Sequence, residues 1–183
     1  MRTLALVILF SFFQQNLMAQ PAKEVPSADQ VLKTALVTAA REKKNVILMF
    51  HASWCGWCHR MDTSLNDPSV KKFFDDNYVI THLVVDESGA NKSLENPGAY
   101  EFRTKYHGDG VGIPFWLVFD KDGNLLADSK IRKNGENAAG GNNIGCPANP
   151  EEVDYFVQIL KKTSKLNDQQ LAIIAERFRK NAN

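Results

Sequence analysis

Cysteine is scarce in this chain, with three residues in 183. An odd and small number excludes the stapled framework of a disulfide-rich exported domain. A second Cys pair is also missing, which excludes a closed four-cysteine zinc site. No cysteine follows the apolar run near the N-terminus, so a bacterial lipoprotein anchor is not expected. An excess of one charge is lacking too: the formal net charge is +1. That argues against nucleic acid as a partner, which calls for a basic face, and gives no reason to expect a membrane-surface patch. Nowhere is there the run of roughly 20 apolar residues that a bilayer span requires. Internal repeats are absent.

What is present begins with a leader. Arg2 precedes an apolar stretch at residues 4–13, interrupted only by Ser11, and Ala19 is a small residue suited to cleavage. Residues 1–19 therefore read as a signal peptide, 20–27 as a linker and 28–183 as one domain. The mature protein would be exported, periplasmic in a bacterium, with no membrane attachment after cleavage. No retention signal ends the chain.

Within the domain, Ser27 and Gln30 match a capping box ahead of apolar residues at helical spacing, giving a helix over 28–43. Residues 45–50 form a continuous apolar run of the kind buried on both faces of a sheet. Residues 58–65 suit a helix, and Asp67-Pro68 marks another helix start. Strand, polar loop and helix follow at 78–86, 88–97 and 98–107, and residues 115–120 and 124–131 read as a hairpin about the turn 121–123. Phe73, Phe74, Tyr100, Phe102, Phe115 and Phe119 are candidate core. Residues 132–149, rich in Gly and Asn, read as a long surface loop holding Cys146. Helices open at Asn149 and Asn167. Alternation of this kind predicts an α/β fold, a mixed sheet with helices on both faces.

The chemistry lies in Cys55-Gly56-Trp57-Cys58. A strand ending just before this motif puts Cys55 at the amino end of the next helix, where free N–H groups and the helix dipole favour a thiolate. A thiol of pKa about 8.5 is roughly 3% ionised at pH 7, and one of pKa about 7 is roughly half ionised. Cys55 is therefore the expected nucleophile. Cys58, one turn on, is the expected resolving cysteine.

The segment from Phe50 through His59, with Trp54 before the first Cys, and the later Gly112-Ile113-Pro114-Phe115 resemble the thioredoxin superfamily over about residues 28–163. The resemblance implies a thioredoxin-like fold, here with an extra C-terminal helix at 167–180, and thiol–disulfide oxidoreductase activity on protein thiols or disulfides. It implies no cofactor, and a second redox protein that recycles the pair. It also implies that Pro114 follows a cis peptide bond beside the cysteines and that the backbone at Ile113 pairs with substrate. Trp54, Gly56 and Trp57 would shape the site. Two departures stand out: Trp57 replaces the proline of thioredoxin, and Met49 replaces its buried acid. His82 is the candidate to take over proton relay. His51 and His59 are expected to be a packing residue and a solvated one. No metal site is expected under this reading. Two other functions stay open: a soft-metal (copper) module using Cys55, Cys58 and His59, and a redox-inactive binding domain of the same fold.

Overall fold

The computed structural model describes residues 24–182. The proposed leader, residues 1–19, and the start of the linker lie outside the described residues. The first helix, α1 (Ala28–Glu42), is closed by the expected capping box: the Ser27 hydroxyl accepts from the Gln30 N–H, and the Gln30 side chain accepts from the Ser27 N–H. Lys43 ends it in the left-handed conformation. Strand β1 (Asn45–His51) follows, then α2 (Gly56–Leu65), α3 (Lys71–Asn77), β2 (Tyr78–Val84), α4 (Ala99–Lys105), β3 (Phe115–Phe119) and β4 (Leu125–Asp128). Two short strands, β5 (Lys130–Ile131) and β6 (Asn142–Asn143), precede α5 (Pro150–Thr163) and α6 (Asp168–Arg179).

Among the described residues, the main sheet has strand order β2-β1-β3-β4. β1 pairs parallel to β2 and antiparallel to β3, and β3 pairs antiparallel to β4. The mixed sheet, helices on both faces and C-terminal helix are those of a thioredoxin-like fold.

Alternation along the strands divides the core in two, because successive side chains point to opposite faces. Ile47, Met49, Trp116 and Val118 face Met61, Phe74, Phe156, Ile174 and Phe178 of α2, α3, α5 and α6. Val46, Leu48, Phe50, Phe115, Leu117 and Phe119 face Ala35, Ala39 and Phe102 of α1 and α4. β1 is thus apolar throughout because it is covered on both sides. The C-terminal helix is not an appendage: Leu171, Ile174 and Phe178 are buried in the first of these clusters.

Four local expectations are corrected. The Asp67-Pro68 start yields a turn, and α3 begins only at Lys71; the Asp67 carboxylate takes the Ser69 N–H and hydroxyl, which holds a tight turn ahead of the helix. The strand expected over 124–131 breaks at Ser129. This residue is buried, its Oγ accepts from Trp116 N–H, and the chain then leaves the main sheet to pair β5 with β6.

That pairing also corrects the surface loop at 132–149. Its middle is exposed, but Ile144 and Cys146 are buried. The buried Lys130 ammonium donates to the carbonyls of His107 and Ala139, and Arg132 holds Asp128 and the carbonyl of Ala138. Gly141 makes the return possible: its φ is +94°, and a Cβ there would lie 2.6 Å from the Ile131 carbonyl oxygen. Tyr100, expected in the core, is 58% exposed and faces the Arg103 guanidinium, which itself binds Asp86.

Candidate active site

β1, an inner strand, ends at His51, and Ala52-Ser53-Trp54 turns the chain into α2. The turn is fastened from below. Glu87, a buried carboxylate, accepts from the Ser53 N–H at 2.5 Å and the Ser53 hydroxyl at 2.8 Å. Trp54 donates its indole N–H to the Asp86 carbonyl, and His59 Nε2 lies 2.9 Å from the Ser53 carbonyl oxygen. His59 is therefore a partner in the turn rather than a purely solvated side chain.

Cys55 is the N-cap of α2, and its sulfur accepts from the Cys58 N–H at 3.1 Å. Side chains at an N-cap normally satisfy such free amides with oxygen; here sulfur does so, in the positive field of the helix end. No acidic residue occupies the first turn of α2 to oppose that field. Cys55 and Cys58 are joined in a disulfide, with Cα atoms 5.2 Å apart. Both are nearly buried, at 3% and 2% exposure, while Trp54 and Trp57 beside them are 61% and 50% exposed. Arg60 lies over the Trp57 ring at 4.9 Å.

On the other side of the disulfide, Ile113 packs against the two sulfurs and Ala52. The Ile113 carbonyl oxygen lies 3.5 Å from Cys55 Sγ, and the Ile113–Pro114 peptide is cis. Asn143, from β6, braces this segment by donating to the carbonyls of Gly112 at 2.6 Å and Pro114 at 3.1 Å. A cavity of about 430 Å³ opens between Trp57, Ile113 and Pro114 and the opposite wall of Asn143, Cys146 and Glu152.

The structure therefore brings Cys55, Gly56, Trp57, Cys58, Ile113 and Pro114 together, with Trp54 at the rim. His82 stands apart from them. It pairs in register with Met49, on the α2 side of the sheet, and its Nε2 lies 2.9 Å from Asp62 Oδ1. The His51 ring lies against it, with ring centroids 4.7 Å apart. Burial, followed by the nearby His82, lowers the pKa of His51 below its ordinary value. Cys146 has Asn181 as its polar neighbour, and burial pushes its thiol up to about 12. Glu87 and Asn143 carry no local signal in the sequence. Each acts on a segment some 30 residues away, so only the folded chain reveals it.

Comparison with known proteins places these features in context. A profile described as Thioredoxin-like matches residues 28–121. No curated protein sequence matches significantly. Among solved structures, a disulphide isomerase from Xylella fastidiosa Temecula1 is 21% identical with a TM-score of 0.49; the similarity covers 91% of this chain and 99% of that one. A thioredoxin from Thermus thermophilus is 18% identical with a TM-score of 0.43, covering 70% and 81%. The C-terminal domain of DsbD from Neisseria meningitidis, in its oxidised form, is 24% identical with a TM-score of 0.40, covering 57% and 84%. At such identities and TM-scores none of these three bears on what the present chain acts on.

Proposed function

This chain belongs to the thioredoxin-like family, and from that premise we propose that it is a thiol–disulfide oxidoreductase acting on protein substrates outside the cytoplasm. One observation carries the reading: Cys55 caps α2, bonded to Cys58, with the Ile113 carbonyl on one side and a cavity opening alongside. Export is supported by the leader-like residues 2–19 of the sequence.

In the reducing direction the Cys55 thiolate attacks one sulfur of a client disulfide, and the other client sulfur leaves as a thiolate. Cys58, as its thiolate, then attacks Cys55 Sγ and expels the first client sulfur. Two electrons pass to the client and the Cys55–Cys58 disulfide forms. A second redox protein returns the pair to its starting state. The same steps in reverse oxidise a client dithiol, and the reduction potential of the pair against glutathione sets which direction prevails.

The protein supplies three things to this exchange. The α2 amino end stabilises negative sulfur. Glu87, through Ser53, fixes the turn that presents it. Ile113 offers a backbone carbonyl, and exposed Trp54 and Trp57 offer aromatic surface to an incoming chain.

The test is a trapping experiment. Cys58→Ser leaves Cys55 able to attack and unable to be resolved, so mixed disulfides with insulin should accumulate. Catalysed insulin reduction should fall roughly a hundredfold or more, to the background rate. If Cys55→Ser traps adducts and Cys58→Ser does not, the two roles are reversed. If neither traps any and the parent does not reduce insulin, the enzymatic reading fails.

A further inference from the structure

Beneath the redox turn, three elements meet at a group of side chains that the exchange chemistry does not use. His51 closes β1, Asp62 lies midway along α2, and His82 lies in β2. They offer one ligand atom each, and the three atoms all lie within 4.8 Å of one another. His82 Nε2 is already 2.9 Å from Asp62 Oδ1, and the His51 ring is stacked at an angle on the His82 ring. We propose that His51, Asp62 and His82 form a binding site for a divalent transition-metal ion of the zinc class.

Two imidazoles and one carboxylate are a donor set suited to zinc, with a fourth position left for water. Bonds of about 2.0–2.1 Å to a tetrahedral ion place ligand atoms a little over 3 Å apart. From their present separations, all within 4.8 Å, the three atoms would close onto such an ion. Where a proton now joins His82 to Asp62, the ion would take its place. The side chains of His82 and Asp62 are about one-third exposed, at 30% and 32%, so an ion and its water can reach them from solvent.

A second observation points the same way. Nδ1 of His51 is buried without a hydrogen-bond partner. An unsatisfied buried nitrogen costs about 1–3 kcal/mol in general, and such an atom in a folded protein calls for an explanation such as a water or an ion. A cation held through that nitrogen would supply one. Bound there, it would tie α2, the helix that carries Cys55 at its cap, to the neighbouring parallel strands β1 and β2.

The experiment is a zinc titration of the mature chain with the Cys55–Cys58 disulfide intact, so that neither cysteine offers a thiolate. Calorimetry should show one ion per chain, and zinc should raise the melting temperature. His82→Gln and Asp62→Asn should each weaken binding roughly tenfold or more and abolish the zinc-dependent shift in melting. The double variant Cys55→Ser, Cys58→Ser should bind zinc like the parent. Melting without zinc shows that each variant is folded. The proposal is overturned if binding does not saturate, if it survives both substitutions, or if it vanishes only with His59→Ala. Insulin reduction is read separately, so this site and the redox assignment stand or fall independently.

Discussion

Cys146 shares its side chain with Cys55 but none of its surroundings. Cys55 sits at a helix amino end and takes a backbone N–H on its sulfur. Cys146 is folded beneath β6 at 4% exposure, with the Asn181 amide on its sulfur and a thiol pushed up to about 12 by burial. At pH 7 a thiol with such a pKa is ionised in about one molecule in a hundred thousand, against roughly 3% for an ordinary cysteine. The oxidised native protein is therefore expected to react with a disulfide reagent on the order of a thousandfold more slowly than a free thiol. One full equivalent should appear on unfolding in denaturant. Prompt labelling of the native protein would show that the 144–149 segment opens readily. None of this is visible from composition: a cysteine among Gly and Asn residues reads as exposed, and what buries it is its place in the core cluster of α5 and α6 and the distant Asn181.

Helices were legible where their signals are local. The box expected at Ser27/Gln30 closes, and the helices expected to open at Asn149 and Asn167 do so with boxes of the same kind, to Glu152 and Gln170, because each needs only residues three apart. Asp67-Pro68 misleads for the same reason: Asp67 is an equally good turn former, and its carboxylate serves Ser69 instead of a helix. That carboxylate also accepts from Arg177 Nε at 2.6 Å, joining the α2–α3 turn to α6.

The Ser69 hydroxyl and N–H, followed by Arg177, hold the Asp67 carboxyl down at about 2. A carboxyl lowered on folding contributes stability that is complete above its ordinary value and is lost as pH falls through the folded one. Melting temperature should therefore drop between about pH 4 and pH 2 partly on account of this group. Asp67→Asn should melt lower than the parent at neutral pH and show a shallower decline across that window. An unchanged decline would mean that Asp67 does not couple the turn to α6.

At the level of the whole molecule, α6 is the piece whose importance the sequence understates. Its apolar stripe is plain, yet helical spacing alone cannot say whether the stripe meets this domain or something else. In the fold, Phe178 lies against Phe74 and Phe156, and Phe156 meets Trp116 of β3 edge-on. Burying one large apolar side chain contributes about 1.5–3 kcal/mol. Three such residues, Leu171, Ile174 and Phe178, rival the roughly 5–15 kcal/mol by which a domain is stable. A chain ended after Ser164 is thus expected to lose its near-ultraviolet circular dichroism and cooperative melting. Cooperative melting near the parent temperature would demote α6 to an accessory.

The amino-acid order alone determined the strand that ends just before the Cys55 motif, the helix that Cys55 opens and the sulfur pair one turn apart, since those follow from apolar runs, capping and spacing within a few residues. Only the tertiary structure decided what surrounds that pair: Ile113 against the sulfurs, Asn143 bracing the loop, Glu87 beneath the turn, and His51, Asp62 and His82 gathered on one face. These groups come from segments tens of residues apart. Their meeting depends on strand register and helix packing, which no local pattern encodes.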